Sequence, residues 1–202
     1  MKTTLYLVRH GQSEARARNI VQGVGLDIPL TPEGVIQAAR AAGVLAGYKF
    51  DKIFSSTAVR ARDTAAIIRR RHPGVPYEEI AELNERSKGV TEGMTKDDFA
   101  AKYPEIIEQW NKEEDARPPG GENFEDVANR VVPTIERHVA GDAKGSSFLY
   151  VIHGNVIRAI LGHILDVPHR LRPRIEQDYC AFNVARYDHE RARWSVECVN
   201  RV

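Results

Sequence analysis

Two histidines each stand between a short apolar run and a glycine, in Arg9-His10-Gly11 and His153-Gly154-Asn155. Arg60 falls at the start of a predicted helix between them, with Arg62 as a nearby rival. These residue types suit a phosphate ester. A phosphate dianion needs several fixed positive groups, and arginine offers a planar fork that matches its oxygens. It also needs exposed N–H donors, which a helix N-terminus at Gly154-Asn155 would supply together with a positive dipole end. A neutral imidazole is a competent nucleophile toward phosphorus, and the N–P bond it forms is one that water cleaves. The leaving alkoxide is a strong base and requires an acid. Glu85, in Leu83-Asn84-Glu85-Arg86, is the candidate because its polar segment should roof the site; Glu82 and Glu92 compete with it.

The elements that must position these groups read as strands alternating with helices. Leu5-Tyr6-Leu7-Val8 is a buried strand that runs into His10. Thr31-Pro32-Glu33 opens a helix, with Thr31 as N-cap and Pro32 in the first turn, and the helix should run to about Ala46 with Gly47 as its stop. Lys52–Ser55 is a second strand, followed by a helix over Ala58–Arg71 capped by Ser56 or Thr57. Val75–Glu79 reads as a third strand. Residues 81–121 are polar and irregular, with short helices near Lys96–Ala101 and Glu105–Lys112, and read as a lid-like insertion too short for its own core. A helix from about Asn123 to Val139 carries the stripe Val127, Val131, Ile135, Val139, and Pro133 should kink or break it. Phe148–Ile152 is a strand that ends at His153, and Val156–Leu165 follows as helix. Tyr179–Tyr187 and Arg193–Val199 should form an antiparallel pair. The pattern predicts one domain over 1–202: an α/β three-layer sandwich with a mainly parallel central sheet flanked by helices, plus the helical lid insertion. Ligands of such sheets bind beyond the carboxyl ends of the strands, where both histidines fall.

Composition narrows the partners. Of 202 residues, 42% are hydrophobic and 28% charged, which argues against disorder. With 29 basic and 28 acidic side chains the net charge is +1, too balanced to steer nucleic acid or an anionic membrane. Cys180 and Cys198 are too few for a disulfide framework and sit in no metal-ligand spacing. Together with an N-terminus that goes directly into a strand pattern, they predict a cytoplasmic protein.

The motifs also carry a family resemblance over nearly the whole chain. Leu7-Val8-Arg9-His10-Gly11-Gln12-Ser13-Glu14, Pro29-Leu30-Thr31-Pro32-Glu33-Gly34, Ser55-Ser56 through Arg60-Ala61-Arg62-Asp63-Thr64-Ala65, Leu83-Asn84-Glu85-Arg86 with Glu92-Gly93, Pro118-Pro119-Gly120-Gly121-Glu122 and His153-Gly154-Asn155-Val156-Ile157-Arg158 occur in this order. In them the chain resembles the histidine phosphatase superfamily, in its phosphoglycerate-mutase-like branch and broad-specificity phosphatase type. The resemblance implies that His10 is the phosphoryl acceptor, that Arg9, Arg60 and His153 form the phosphate pocket, and that Glu85 is the proton donor and later the base for water. The N–H of Gly154 or Asn155 should join the pocket, and Ser13, Gln22 and Gly23 are substrate-loop positions. Lys88, Lys96 and Arg16 are expected to read the distal part of the substrate. Arg16 stands where many members have asparagine. Against the mutases, the chain lacks a tyrosine near Lys88 and an arginine pair near Asn111-Lys112, while Lys96 and Asn155 match them.

The expectation is a phosphomonoester hydrolase acting through phosphohistidine on a small phosphorylated metabolite, without cofactor or metal. A phosphoglycerate mutase is the alternative, and a non-catalytic phosphate-binding module a more distant one. A homodimer is left open. His72, His138, His163, His169 and His189 have no matching context and read as solvated or core residues, and Trp110 and Trp194 as packing residues.

Overall fold

The computed structural model describes the backbone of all 202 residues and every side chain except that of Arg16. A six-stranded sheet has the order β3-β2-β4-β1-β5-β6, built from β1 (Lys2–Arg9), β2 (Lys52–Ser55), β3 (Tyr77–Glu79), β4 (Ser147–Ile152), β5 (Phe182–Asp188) and β6 (Arg193–Arg201). The pairs β1–β4, β2–β4 and β2–β3 are parallel, and β5 alone runs against the rest. The fold is therefore the mainly parallel α/β sandwich expected.

Successive residues of a strand face opposite sides of the sheet, and β1 is buried on both. Leu5 and Leu7 pack with Phe54, Tyr150 and Ile152 against α6 (Phe124–Ala140) and α7 (Gly154–Ile164). Tyr6 and Val8 pack with Ile53, Leu149 and Val151 against α2 (Pro32–Leu45) and α3 (Val59–Arg69). Burial on both faces is why β1 reads as an unbroken apolar run. A short helix α1 (Glu14–Ala17) follows β1, and α4 (Lys96–Lys102) and α5 (Pro104–Asn111) lie within 81–121. That stretch does have an apolar cluster: Phe99 and Ile106 bury against Val21, with Tyr103 and Trp110 packed around them.

Three local expectations need correction. Neither Ser56 nor Thr57 caps α3; its first N–H donates to Asp27 Oδ1 at 2.7 Å, a cap delivered from another segment. Gly47 lacks the left-handed backbone of a helix-stopping glycine, and Ala46 ends α2. Helix α6 runs through Pro133 as one 17-residue element. Pro133 and Asn129, whose carbonyl loses its N–H donor to the proline, both lie on the exposed face, where water can serve that carbonyl. The buried stripe of Val127, Val131, Ile135 and Val139 holds the opposite face in register.

Candidate active site

The strands β2, β4 and β1 are neighbours, and their carboxyl ends bring the chemistry together. In the register, Arg9 lies beside Ile152 and Ser55 beside Val151, so His10, Ser56 and His153 leave the sheet at one edge. The His10 N–H donates to the Ile152 carbonyl at 2.9 Å, which ties the first loop to β4. Gly11 then presses on Gly34 in the first turn of α2. A Cβ on Gly11 would lie 2.4 Å from the Gly34 carbonyl oxygen, and one on Gly34 would lie 2.1 Å from that of Gln12. These two glycines allow the contact, and Thr31 fixes it by capping α2 with its hydroxyl while its N–H donates to the Gln12 carbonyl at 2.9 Å.

His10 is 5% exposed. Its Nδ1 lies 2.7 Å from the Gly11 carbonyl, which only accepts, so Nδ1 carries the proton and Nε2 carries the lone pair. Burial, and then the charges of Arg60 and Arg9, hold the imidazole well below its ordinary pKa of 6.5, with the Gly11 carbonyl pulling weakly the other way. It is neutral at neutral pH.

The His153 ring packs edge-on to that of His10, with centroids 5.0 Å apart. Its Nε2 is 2.7 Å from the Ser56 hydroxyl. The Ser56 hydroxyl is fully buried and has no other acceptor among the described residues, so its proton goes to Nε2. The His153 proton then sits on Nδ1, which is buried and has no partner. Burial, followed by Arg60 and His10, keeps this histidine neutral as well.

The arginines are held from behind and left open in front. The Arg9 Nη1 donates to the Gln177 carbonyl at 2.6 Å, and the guanidinium lies 3.8 Å above the Tyr179 ring. The Arg60 Nη2 donates to the Gly23 carbonyl at 3.2 Å. Arg9 Nε, Arg60 Nε and Arg60 Nη1 are buried without partners. Buried polar groups are almost always satisfied, so a set of orphaned donors at one place marks where an anion belongs. The pocket at that place holds about 170 Å³ and is lined by Arg9, His10, Ile20, Gln22, Arg60, Glu85, Asn155 and Tyr179. Gly154 and Asn155 are the first residues of α7, so its dipole and free N–H groups face the same end of the sheet.

The remaining candidates sort by position. Arg62 is exposed and pairs with Glu79 at 3.7 Å, whereas Arg60 is 1% exposed. Glu85 lines the pocket, with Oε1 accepting the Arg86 N–H at 2.8 Å. Glu82 is exposed. Glu92 is spent on backbone, accepting N–H bonds from Val24, Gly25 and Lys88. Ser13 is off the pocket wall and instead donates to Gln22 Oε1 at 2.6 Å. Gly23 contributes its carbonyl to Arg60, and a Cβ there would strike Glu92 Oε1 at 2.1 Å. Lys88 and Lys96 line an adjoining cavity. The Arg16 side chain lies outside the described residues.

Sequence reasoning did not find Tyr179, Asp27, Gln177 or the grip of Ser56 on His153. Their partners are long-range, and no local pattern marks them. Trp110, expected to be a packing residue, packs with Phe99 and also lines two cavities. Among the described residues no group of three or more His, Cys, Asp or Glu is placed to hold a metal, and no helix is long and apolar enough to cross a membrane.

A histidine lone pair beside orphaned guanidinium donors, at the carboxyl edge of a mainly parallel sheet, defines a class of phosphoryl-handling enzyme. Comparison with known proteins gives its lineage. Residues 5–201 match the sequence profile of the histidine phosphatase superfamily (branch 1). The 2,3-bisphosphoglycerate-dependent phosphoglycerate mutase of Rhizobium etli is 38% identical over 164 residues, covering 78% of each chain. The mycobacterial glucosyl-3-phosphoglycerate phosphatase, solved in complex with VO3, superposes with a TM-score of 0.89 at 28% identity over 99% of this chain and 100% of that one. The alpha-ribazole phosphatase of Shigella flexneri gives a TM-score of 0.85 at 25% identity over 98% and 96%. The chain belongs to the histidine phosphatase superfamily, branch 1, and is an enzyme of the phosphatase or mutase kind.

Proposed function

We propose that the protein hydrolyses phosphomonoesters of small metabolites through a phosphohistidine on His10. The carrying observation is the set of unpartnered buried donors, Arg9 Nε, Arg60 Nε and Nη1 and His153 Nδ1, beside a neutral His10 whose Nε2 holds the lone pair. In the first step Nε2 bonds to phosphorus as the ester P–O bond breaks, and Glu85 gives its proton to the leaving oxygen. In the second, Glu85 takes a proton from water, the water oxygen bonds to phosphorus, and the N–P bond breaks to return neutral His10 and orthophosphate. The guanidiniums and the His153 N–H stabilise charge on the equatorial oxygens, the role a metal ion plays elsewhere, so the reaction is read as metal-independent.

Residues 81–121 are read as a lid-like insertion in a single domain spanning 1–202, and the free thiols of Cys180 and Cys198 favour a cytoplasmic location. Mutase activity is the second reading, favoured by the name of the Rhizobium etli relative. Two features support hydrolysis over it. The phosphate pocket adjoins two further cavities, sharing Ile20 and Gln22 with one and Asn155 with the other, an arrangement that favours entry of water to a phosphohistidine. Lys88 also stands in a distal position where an arginine fork would hold a second phosphate more rigidly. The test is phosphate release from monoesters and interconversion of 2- and 3-phosphoglycerate, measured on one preparation primed with 2,3-bisphosphoglycerate. Release should exceed interconversion by a wide margin; efficient interconversion with little release would reverse the choice.

A further inference from the structure

Beside the phosphate pocket lies a cavity of about 330 Å³, within the usual size range of small-molecule sites. It shares Ile20 and Gln22 with that pocket. Val21, Phe99, Ile107 and Trp110 form an apolar wall, and Lys88 and Lys96 supply two cations with no carboxylate among the lining residues. We propose that this cavity is the leaving-group subsite and that it takes an alcohol with an apolar, ring-sized body ending in an anionic group, which Lys88 receives. The inference rests on the phosphomonoesterase reading above and names the substrate class for that site.

Lys88 is the residue that decides the class. Its side chain is partly buried, and its Nζ lies 5.0 Å from the Trp110 ring centroid. Its backbone is pinned by Glu92, which accepts the Lys88 N–H at 2.8 Å. Among the described residues the ammonium has no ion-pair partner. Burial, and then the charges of Arg86 and Arg158, push it down to about 7, while Glu85 and Glu92 pull the other way. A partly desolvated cation without a counter-ion is costly, and an anionic ligand would supply the missing charge. The ring-sized body follows from the wall: Phe99 and Trp110 are themselves in contact, at 5.5 Å between centroids, and present an aromatic surface to whatever enters. A second cavity, of about 220 Å³, also touches Lys88 and Trp110, but there the carboxylates of Glu114 and Asp115 already stand against the charges of Arg86 and Arg170, and it lacks the apolar wall of Val21, Phe99 and Ile107.

The test compares three esters at about pH 6.5: 4-carboxybenzyl phosphate, its uncharged carboxamide counterpart, and 4-phosphooxybutyrate, which keeps the carboxylate and lacks the ring. A hydrogen bond to a charged partner and the burial of one ring are each worth roughly tenfold to a hundredfold in affinity. The carboxybenzyl ester should therefore exceed each of the others by about that factor in kcat/KM. Lys88→Met should cut the carboxylate-to-carboxamide ratio about tenfold, and Lys88→Arg should retain most of it. Because the readout is a ratio within one protein, a general loss of activity does not imitate it. Equal kcat/KM for the carboxylate and carboxamide in the wild type, or an unchanged ratio in Lys88→Met, overturns the inference while leaving hydrolysis intact. Failure of every monoester to release phosphate would instead remove the phosphomonoesterase reading, and this inference with it.

Discussion

Replacing Ser56 by alanine should damage catalysis without touching the phosphate. Ser56 is fully buried, and its hydroxyl gives its proton to His153 Nε2 at 2.7 Å. That bond fixes the tautomer in which Nδ1 is the donor left open. In the alanine variant Nε2 loses its only partner, and the proton is free to move there, leaving an acceptor on the phosphate side. A hydrogen bond from a neutral donor to a charged oxygen contributes about 1.5–3 kcal/mol, so complete loss would lower kcat/KM roughly 10- to 150-fold. Because part of the population keeps the productive tautomer, a fall of about tenfold is expected. The orphaned buried nitrogen costs about 1–3 kcal/mol, and at roughly 2–4 °C per kcal/mol for a chain of this size Tm should drop by about 2–12 °C. Steady-state kinetics on a monoester and a thermal melt read both effects. A folded Ser56→Ala protein whose kcat/KM stays within about twofold of wild type would refute the tautomer reasoning.

Other expectations follow from the same geometry. Glu85→Gln should lower turnover about 10²–10⁴-fold for alkyl esters and much less for esters with good leaving groups; an equal loss for both would assign Glu85 a binding role. Protonation of His10 removes its lone pair, and its pKa lies well below 6.5 through burial and the charges of Arg60 and Arg9. The kcat/KM, corrected for ionisation of the substrate, should hold as the pH falls from about 7.5 to about 6 and decline only below that; an acid limb centred at or above the ordinary histidine value contradicts it. His153 is likewise neutral when folded and protonates more readily when unfolded, so the unfolded chain binds more protons below that ordinary value. Tm should therefore fall as the pH drops below about 6.5, and a flat profile between about pH 5 and 7 would show that the buried histidines are not neutral.

The sequence carried the parts of the fold that depend on near neighbours. The run Leu5–Val8 is apolar because both of its faces are buried, and a window of four residues reveals that. Thr31 and Asn123 announce helix starts because their side chains cap within three residues. The ends of β1 and β4 were legible for the same reason, and they bring His10 and His153 side by side. What stayed hidden was long-range. Ser56 meets His153 across 97 residues, and Arg9 meets Gln177 across 168. Asp27 replaces the local cap expected from Ser56, whose hydroxyl has gone to His153. Glu92 competes with Glu85 in the sequence, and what sets it aside is again long-range: its carboxylate is consumed by the backbone N–H groups of Val24, Gly25 and Lys88. Pro133 misled because proline breaks a helix by removing one hydrogen bond, and that loss is tolerable on an exposed face opposite a packed stripe.

The central claim is that phosphate travels through a covalent bond to His10. Protein quenched in denaturant during turnover of a ³²P-labelled monoester, digested and mapped, tests it most directly. The label should be acid-labile and alkali-stable, reside on the peptide that carries His10, and be absent from a folded His10→Ala protein. Label on another residue, or turnover in His10→Ala with no phosphoenzyme, would contradict the account.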